Sequence, residues 1–309
     1  MIGRIVEIAD DKRHLSLSRG FLVIQDTEGK WEKLGQVPLD DMTALIANAH
    51  GLSYTNNLLV ALSERCIPFV LCAANHNVVG MLLPVDGNFQ QAKRFDAQIS
   101  AGLPLSKRLW ADIVKAKLQQ QAASLKAVNA PDIPLLSLVR KVRSGDPDNM
   151  EAQGARRYWG LLFGRDFRRD KQADGINAML NYGYTVLRAA TARAVVAAGL
   201  HPTIGIHHSN ESNAMRLVDD LMEPFRPMID LKVWQLYRRG EKDVTPENKR
   251  ILVHTLYSDM QTNLGVTPMT VCIQKLAISL AQIFMGERKK LDLPMPGLPI
   301  DLAADLHDG

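Results

Sequence analysis

Near residue 90 the hydrophobic pattern changes from a period of two to a helical period, which commits the chain to two differently built parts. Before that point apolar residues alternate or run in short blocks. Arg4-Ile-Val-Glu-Ile8 and His14-Leu-Ser-Leu-Ser18 alternate, and Phe21-Leu-Val-Ile24 is a buried run ended by Asp26 and Gly29. Residues 67–72 and 78–83 read as further strands, and one helix over 55–65 interrupts them with Leu58, Leu59 and Leu62 on one face. After it, residues 104–128 carry Leu109, Ile113, Ala116 and Leu118 at helical spacing, and a helix over 132–143 is stopped by Gly145. Residues 174–198 read as a long helix with Gly199 as its C-terminal cap and Pro202 beyond. Thr245-Pro246 and Thr267-Pro268 each place a cap before a proline, opening helices that run to about Asn263 and Met285, the second ended by Gly286. The tail LPMPGLPID is extended and proline-rich, a docking strap or a loose end.

The expected fold class is therefore α+β: a small β-rich domain over residues 1–91, then a larger all-helical domain over 92–309. That order excludes a doubly wound nucleotide-binding fold. No GxxxxGK[ST] loop, no GxGxxG after a strand and no HExxH is present, so ATP hydrolysis, hydride transfer and zincin chemistry find no support. The longest apolar runs, such as residues 67–74 with Pro68 inside, fall far short of the ~20 residues of a membrane span. The opening MIGRIVEIADDKRH reaches charge too early for a signal peptide, so the expected location is cytoplasmic, with no membrane partner. Three cysteines, Cys66, Cys72 and Cys272, make neither a disulfide framework nor a zinc ribbon, and their apolar contexts predict buried thiols.

Charge is concentrated. Nine basic residues lie between Arg140 and Lys171 against five acids, a local excess equal to the +4 of the whole chain. A phosphate-backbone binder has such a field, and so does a solvated helix face laced with salt bridges; charge alone does not separate them.

Three segments bear chemistry. In Asp148-Asn-Met-Glu151-Ala-Gln-Gly154-Ala-Arg156-Arg157-Tyr158-Trp159, Asp148 and Glu151 fit a D-x-x-E helix cap. Gly205-Ile-His207-His208-Ser-Asn210-Glu211-Ser-Asn213 sets a tandem His pair after a glycine: a metal site, a proton shuttle or simply a loop. In the third, Asp219-Asp220-Leu-Met-Glu223-Pro-Phe-Arg226-Pro-Met-Ile-Asp230, a helix over 216–223 would put Asp220 and Glu223 on one face. Their repulsion calls for a cation, either a metal or Arg226 capping a solvated acidic face. A His with two or three carboxylates makes a mixed N/O ligand set for Mg²⁺ or Mn²⁺, with positions left for water and phosphate, as phosphodiester chemistry requires.

GIHHSNESNAMRLVDDLMEPFRPMID resembles the signature of the CRISPR-associated spacer-acquisition integrases, the large adaptation proteins of CRISPR systems. MEAQGARRYW resembles the family's first catalytic segment, DGINAMLNYGYTVLRA the helix between the two catalytic segments, and VPLDDMTALI, GLSYTNNLLVALSERCIPFVLC and GMLLP its β domain. The likeness runs in order over roughly residues 1–290. The DLMEPFRP form is most similar to the subgroup that accompanies a single large RNA-guided effector nuclease. One departure is the turn after Cys72, where Ala73-Ala74-Asn75-His76 stands in place of an acid; His76 reads as structural or exposed.

The resemblance implies a metal-dependent DNA endonuclease and integrase, with catalysis in the helical domain. It inserts short fragments as new spacers by 3′-hydroxyl transesterification. The implied ligands are Glu151, His208 (three residues after Gly205) and Glu223, holding Mg²⁺ or Mn²⁺, with Asp220 as an additional acid that ligates or positions water. His207 is a neighbour, not a ligand. Arg156, Arg157, Arg168 and Arg169 are implied contacts to double-stranded DNA, both the incoming fragment and the repeat. Tyr158 lies near the site or packs, and Tyr182 and Tyr184 belong to the core or just behind the site. The β domain is expected to build a homodimer, and a small second adaptation protein to bridge two dimers. Two readings compete: a general metal-dependent nuclease or branched-DNA resolvase using the same residues, and a non-catalytic architectural DNA-binding subunit.

Overall fold

The computed structural model describes residues 4–28, 31–49, 51–73, 78–85, 88–263 and 265–297. The chain divides into two compact units, Met1–Gln91 and Ala92–Gly309.

The first unit runs through Arg4–Ile8 (β1), Arg13–Ser18 (β2), Phe21–Asp26 (β3), Lys33–Pro38 (β4), Met42–Ala47 (β5), Leu52–Tyr54 (β6), the helix Asn56–Glu64 (α1), Phe69–Cys72 (β7) and Val78–Leu82 (β8). The strands make two mixed four-stranded sheets, in the orders β1-β5-β7-β8 and β4-β3-β2-β6. Ser18 pairs with Phe21 across Arg19-Gly20, both at positive φ (49° and 82°), the backbone of a tight two-residue hairpin turn. β5 lies between β1 and β7, parallel to both, with all six residues buried. A strand covered on both faces has no cause to alternate, which is why this stretch carries no period-two pattern. Ile8, Leu15, Leu22, Leu45 and Phe69 join Leu58 and Leu62 of α1 in one hydrophobic cluster. Thr55 caps α1 by accepting the Leu58 N–H. Two expectations are corrected. The strand expected from residue 67 starts at Phe69, and Cys66 and Cys72 are only half-buried, leaving Cys272 as the buried thiol. Residues 74–77, with His76, lie outside the described residues.

The second unit opens with Gln91–Ile99 (α2), a helix the periodicity did not single out, and continues with Leu103–Ala127 (α3), Ile133–Val139 (α4), Met150–Leu162 (α5), Ile176–Ala197 (α6), Arg216–Met222 (α7), Arg226–Arg238 (α8) and Pro246–His254 (α9). Then come Asp259–Thr262 (β9), Gly265–Pro268 (β10) and Met269–Phe284 (α10). Two long helices organise it: α3 packs on α4, α5 and α8, and α6 on α7 through α10. A Cβ on Gly154 would stand 2.2 Å from Leu118 Cδ2, so α5 reaches α3 only because residue 154 has no side chain. That approach sets Glu151, one turn earlier, beside α3. Gly199 follows α6 at φ +68°, and Leu200 N–H closes onto Val195 O at 3.0 Å, the expected glycine cap.

The unit is not all-helical. The helix expected to reach Asn263 ends at His254, and β9 and β10 form an antiparallel hairpin that buries Met260 and Thr267. Thr267 precedes a proline and is held extended, and Pro268 both ends β10 and caps α10, which opens at Met269, one residue after the expected start. The helix expected over 132–143 stops at Val139. Gly145 N–H then bonds Lys107 O at 2.8 Å, a turn that carries the chain to Asp146. The tail docks as far as it is described: Met295 O accepts from Gln120 Nε2 at 2.7 Å, and Gly297 N–H donates to Gln120 Oε1. Among the described residues no helix is long and apolar enough to cross a membrane.

Candidate active site

The site lies in the second unit, where α3, the start of α5, the loop before α7 and the turn after α7 bring charged side chains together. Glu151 sits in the first turn of α5. The cap expected of Asp148 and Glu151 is not made, because Asp148 is taken by the fork of Arg143 at 2.8–3.0 Å. Asp146 caps instead, accepting the Met150 and Glu151 N–H groups at 2.9 Å each, and left-handed Asn149 accepts from Ala152. The Glu151 carboxylate is thus left to face α3, where Oε1 accepts from Lys117 Nζ.

Lys117 is the residue sequence reasoning missed. It lies on the apolar stripe of α3, and its ammonium is also 2.6 Å from Glu223 Oε2, an ion pair without hydrogen-bond alignment. Glu223 opens a single 3₁₀ turn after α7, and its other oxygen stands 3.2 Å from Arg226 Nε. Burial works against both charges. It pulls the Lys117 pKa down, and Glu223 and Glu151 more than reverse that, leaving it raised. It pushes Glu223 up, and Arg226 and Lys117 bring it below the ordinary value.

Asp220 does not oppose Glu223 across a shared face. It is fully buried, and both its oxygens are in use. Ile206 and His207 N–H donate to Oδ2 at 2.6 and 3.1 Å; His208 N–H and Nδ1 reach Oδ1 at 3.3 and 2.6 Å. This geometry makes Asp220 the post that ties down the His loop, not a carboxylate with an oxygen to spare. Its hydrogen bond raises the His208 pKa, against burial, and fixes the Nδ1–H so that Nε2 keeps the lone pair. His207 stacks on Trp110 at 4.2 Å between ring centres, and burial lowers its pKa. It packs, as a neighbour should. Gly205 is needed here because a Cβ would meet His208 O and Arg216 Cβ at 2.9 Å each.

Behind Glu223 the charge network continues. Tyr184 Oη donates to Asp230, and the Arg226 guanidinium lies over the Tyr184 ring at 4.8 Å. Burial first of all lifts the Asp230 carboxyl to about 7, although Tyr184 and Arg226 pull the other way. Since the folded pKa exceeds the ordinary 3.8, this group stabilises the fold fully below about pH 4 and loses that contribution as pH rises through about 7. Asp230→Asn should therefore flatten the fall in stability between those limits, by on the order of a few kcal/mol. Urea unfolding at several pH values reads this, and an unchanged pH slope in the variant would refute it. Tyr158 and Tyr182 are buried core residues.

The arginines divide. Arg156 and Arg157 are exposed on α5, one turn past Glu151. Arg168 is exposed and donates to the carbonyls of Arg165 and Phe167. Arg169 is committed to structure, gripping Asn177 and Asn181 with its guanidinium over Tyr184.

Among the described residues no three His, Cys, Asp or Glu side chains stand close enough together to hold a metal ion. The donor set nevertheless fits one. Two carboxylates already converge on a cation, the Lys117 ammonium, and Glu223 Oε2 is buried without a hydrogen bond. His208 lies within electrostatic reach of Glu223 and presents Nε2.

The family model described as CRISPR associated protein Cas1 matches residues 6–255. The CRISPR-associated endonuclease Cas1 of Neisseria meningitidis serogroup C (strain 8013) is 35% identical over 285 residues, 91% of this chain and 92% of the relative. Among solved structures, a casposase bound to integration product superposes with a TM-score of 0.78 at 21% identity, covering 95% of this chain and 94% of the other. A chain of a Cas6-RT-Cas1–Cas2 complex gives 0.73 at 15% identity, covering 96% of this chain and 36% of that one.

Proposed function

We propose, for a chain that belongs to the CRISPR-associated Cas1 family, that its helical unit joins short DNA fragments into a CRISPR array by attack of a 3′-hydroxyl on a phosphodiester. Water in place of the hydroxyl gives cutting at the same site. The observation that carries this reading is the convergence of Glu151 and Glu223 on one cationic position, with His208, oriented by Asp220, within electrostatic reach of Glu223. The names of the Neisseria endonuclease and of the casposase with its integration product support cutting and joining respectively.

Glu151, Glu223 and the Nε2 of His208 would hold Mg²⁺ or Mn²⁺. Such an ion, when bound, polarises the phosphoryl oxygen and makes the attacking hydroxyl more acidic. The chain's own groups do the rest. Asp220 fixes the His208 ring, so that its lone pair points one way without reorganisation. Trp110 backs the loop through His207. Arg156 and Arg157 on α5, with Arg168 beyond, offer charge-assisted contacts to the phosphates on either side of the reacting one. One phosphodiester forms as another breaks, so joining needs no external energy source.

The first unit is proposed to pair two copies, and the small second adaptation protein to bridge two such pairs; the structural neighbour taken from a Cas1–Cas2 complex supports that partner. The DLMEPFRP segment supports placement beside a single large effector nuclease, and action in the cytoplasm follows from the array as substrate.

A strand-joining reaction tests the reading. It combines the protein, its small partner, a labelled 3′-hydroxyl fragment and a plasmid bearing a repeat array, in Mn²⁺ or in EDTA. Joined product only with Mn²⁺ is expected. Metal-dependent nicking without joining would favour the nuclease or resolvase, and joining that persists in EDTA would remove the metal.

A further inference from the structure

We propose that Lys117 makes metal binding at Glu151 and Glu223 conditional on DNA. Its ammonium fills the cation position in the DNA-free site and passes to a phosphate oxygen when DNA arrives. The inference rests on the metal reading of these residues given above.

The first argument is charge. Glu151 and Glu223 face Lys117 and Arg226, two carboxylates against two cations, so the charges of these four groups cancel as they stand. The oxygens a metal would need are the ones Lys117 holds. Adding a dication to a neutral, largely buried cluster leaves an excess of positive charge where little water screens it. Two events relieve that: the ammonium leaves, or an anion enters. A DNA phosphate does both, drawing the ammonium out and adding negative charge beside the metal.

The second argument is which cation can move. Arg226 is pinned, with its guanidinium over the Tyr184 ring and Glu223 on its near side. Lys117 is a compact charge on a flexible stem. Its contact with Glu223 Oε2 is a 2.6 Å ion pair. Its other partner, Glu151, is 27% exposed in its side chain, so the ammonium's position opens towards solvent on that side. By linkage, DNA tightens the metal and the metal tightens DNA by the same factor.

The test is Mn²⁺ binding to the full chain, followed by loss of the free-ion EPR signal. It is run with and without a short DNA duplex whose 3′ ends are dideoxy, with the duplex alone as blank and His208→Ala marking binding at this site. Wild type should bind Mn²⁺ at least about tenfold more tightly with the duplex than without it. Lys117→Met should bind DNA-free Mn²⁺ at least about tenfold more tightly than wild type and gain little more from the duplex, whereas Lys117→Arg should stay weak. DNA-free affinity in Lys117→Met equal to or weaker than wild type would overturn the proposal. Should that variant not fold, the wild-type pair decides alone, because equal affinity with and without the duplex overturns it while leaving the metal site standing. Absence of Mn²⁺ binding under every condition overturns both readings together.

Discussion

His208→Ala is expected to lower strand joining by at least about a hundredfold, and Asp220→Asn by roughly ten- to a hundredfold. The order follows from geometry. His208 brings the reactive nitrogen, and Asp220 acts through it, holding Nδ1 at 2.6 Å and three loop N–H groups at 2.6–3.3 Å. An amide at residue 220 loses one accepting oxygen and turns a donor toward groups that already donate. The His208 side chain is 41% exposed, so its removal opens little core and the loss should appear in the joining step with the fold intact. Single-turnover joining by the two variants, beside a check on their unfolding, reads both effects. Joining that survives His208→Ala removes that residue from the ligand set. A complete loss in Asp220→Asn with only a small loss in His208→Ala would exchange their roles.

The sequence carried the identities of the acids and the His more clearly than their partners. The resemblance of three segments to the family's motifs singled out Glu151, His208 and Glu223, whereas spacing alone left each open to a cap, a loop or a solvated acidic face. Neither could show what lies between them, since that is decided by tertiary packing: Gly154 lets α5 close on α3, and Lys117 comes from α3. A signal for Lys117 did exist. Trp110, Ile113, Val114, Leu118 and Leu125 mark the buried stripe of α3, and residue 117 falls on it at helical spacing. A lysine there needs an opposite charge in the interior, which only Glu or Asp from another segment can supply. Asp146 was hidden differently. It caps α5 from outside the helix, after the left-handed turn at Gly145, while the nearer Asp148 satisfies the pattern and is bound elsewhere. In the first unit, β2 and β3 were legible because they form a hairpin with one covered face, and β5 was not because it is covered on both. β9 was read as helix because the pattern opened at Thr245-Pro246 was carried on to about Asn263, past the true end at His254.

Glu223→Ala is expected to destabilise the helical unit by about 3–5 kcal/mol, a shift of roughly 10 °C in its unfolding temperature. The substitution does not simply delete a favourable pair. It takes from Arg226, whose guanidinium lies over the Tyr184 ring, its carboxylate partner, and it strips Lys117 of the partner that does most to keep its charge in the interior. Glu151→Ala removes the other ligand carboxylate from the same ammonium, yet it should cost only about 1 kcal/mol. Glu151 is partly exposed, and Lys117 would still have Glu223. Both variants should abolish joining. Stability then separates what activity cannot, the buried carboxylate that the fold depends on from the half-exposed one that serves the chemistry. Adding Lys117→Met to Glu223→Ala removes one of the two cations that lose Glu223, so the double variant should recover part of the loss in a double-mutant cycle. If Glu223→Ala is as stable as Glu151→Ala, the Lys117–Glu223–Arg226 cluster is open to water. The argument that a neutral, shielded site makes a metal wait for DNA then fails with it.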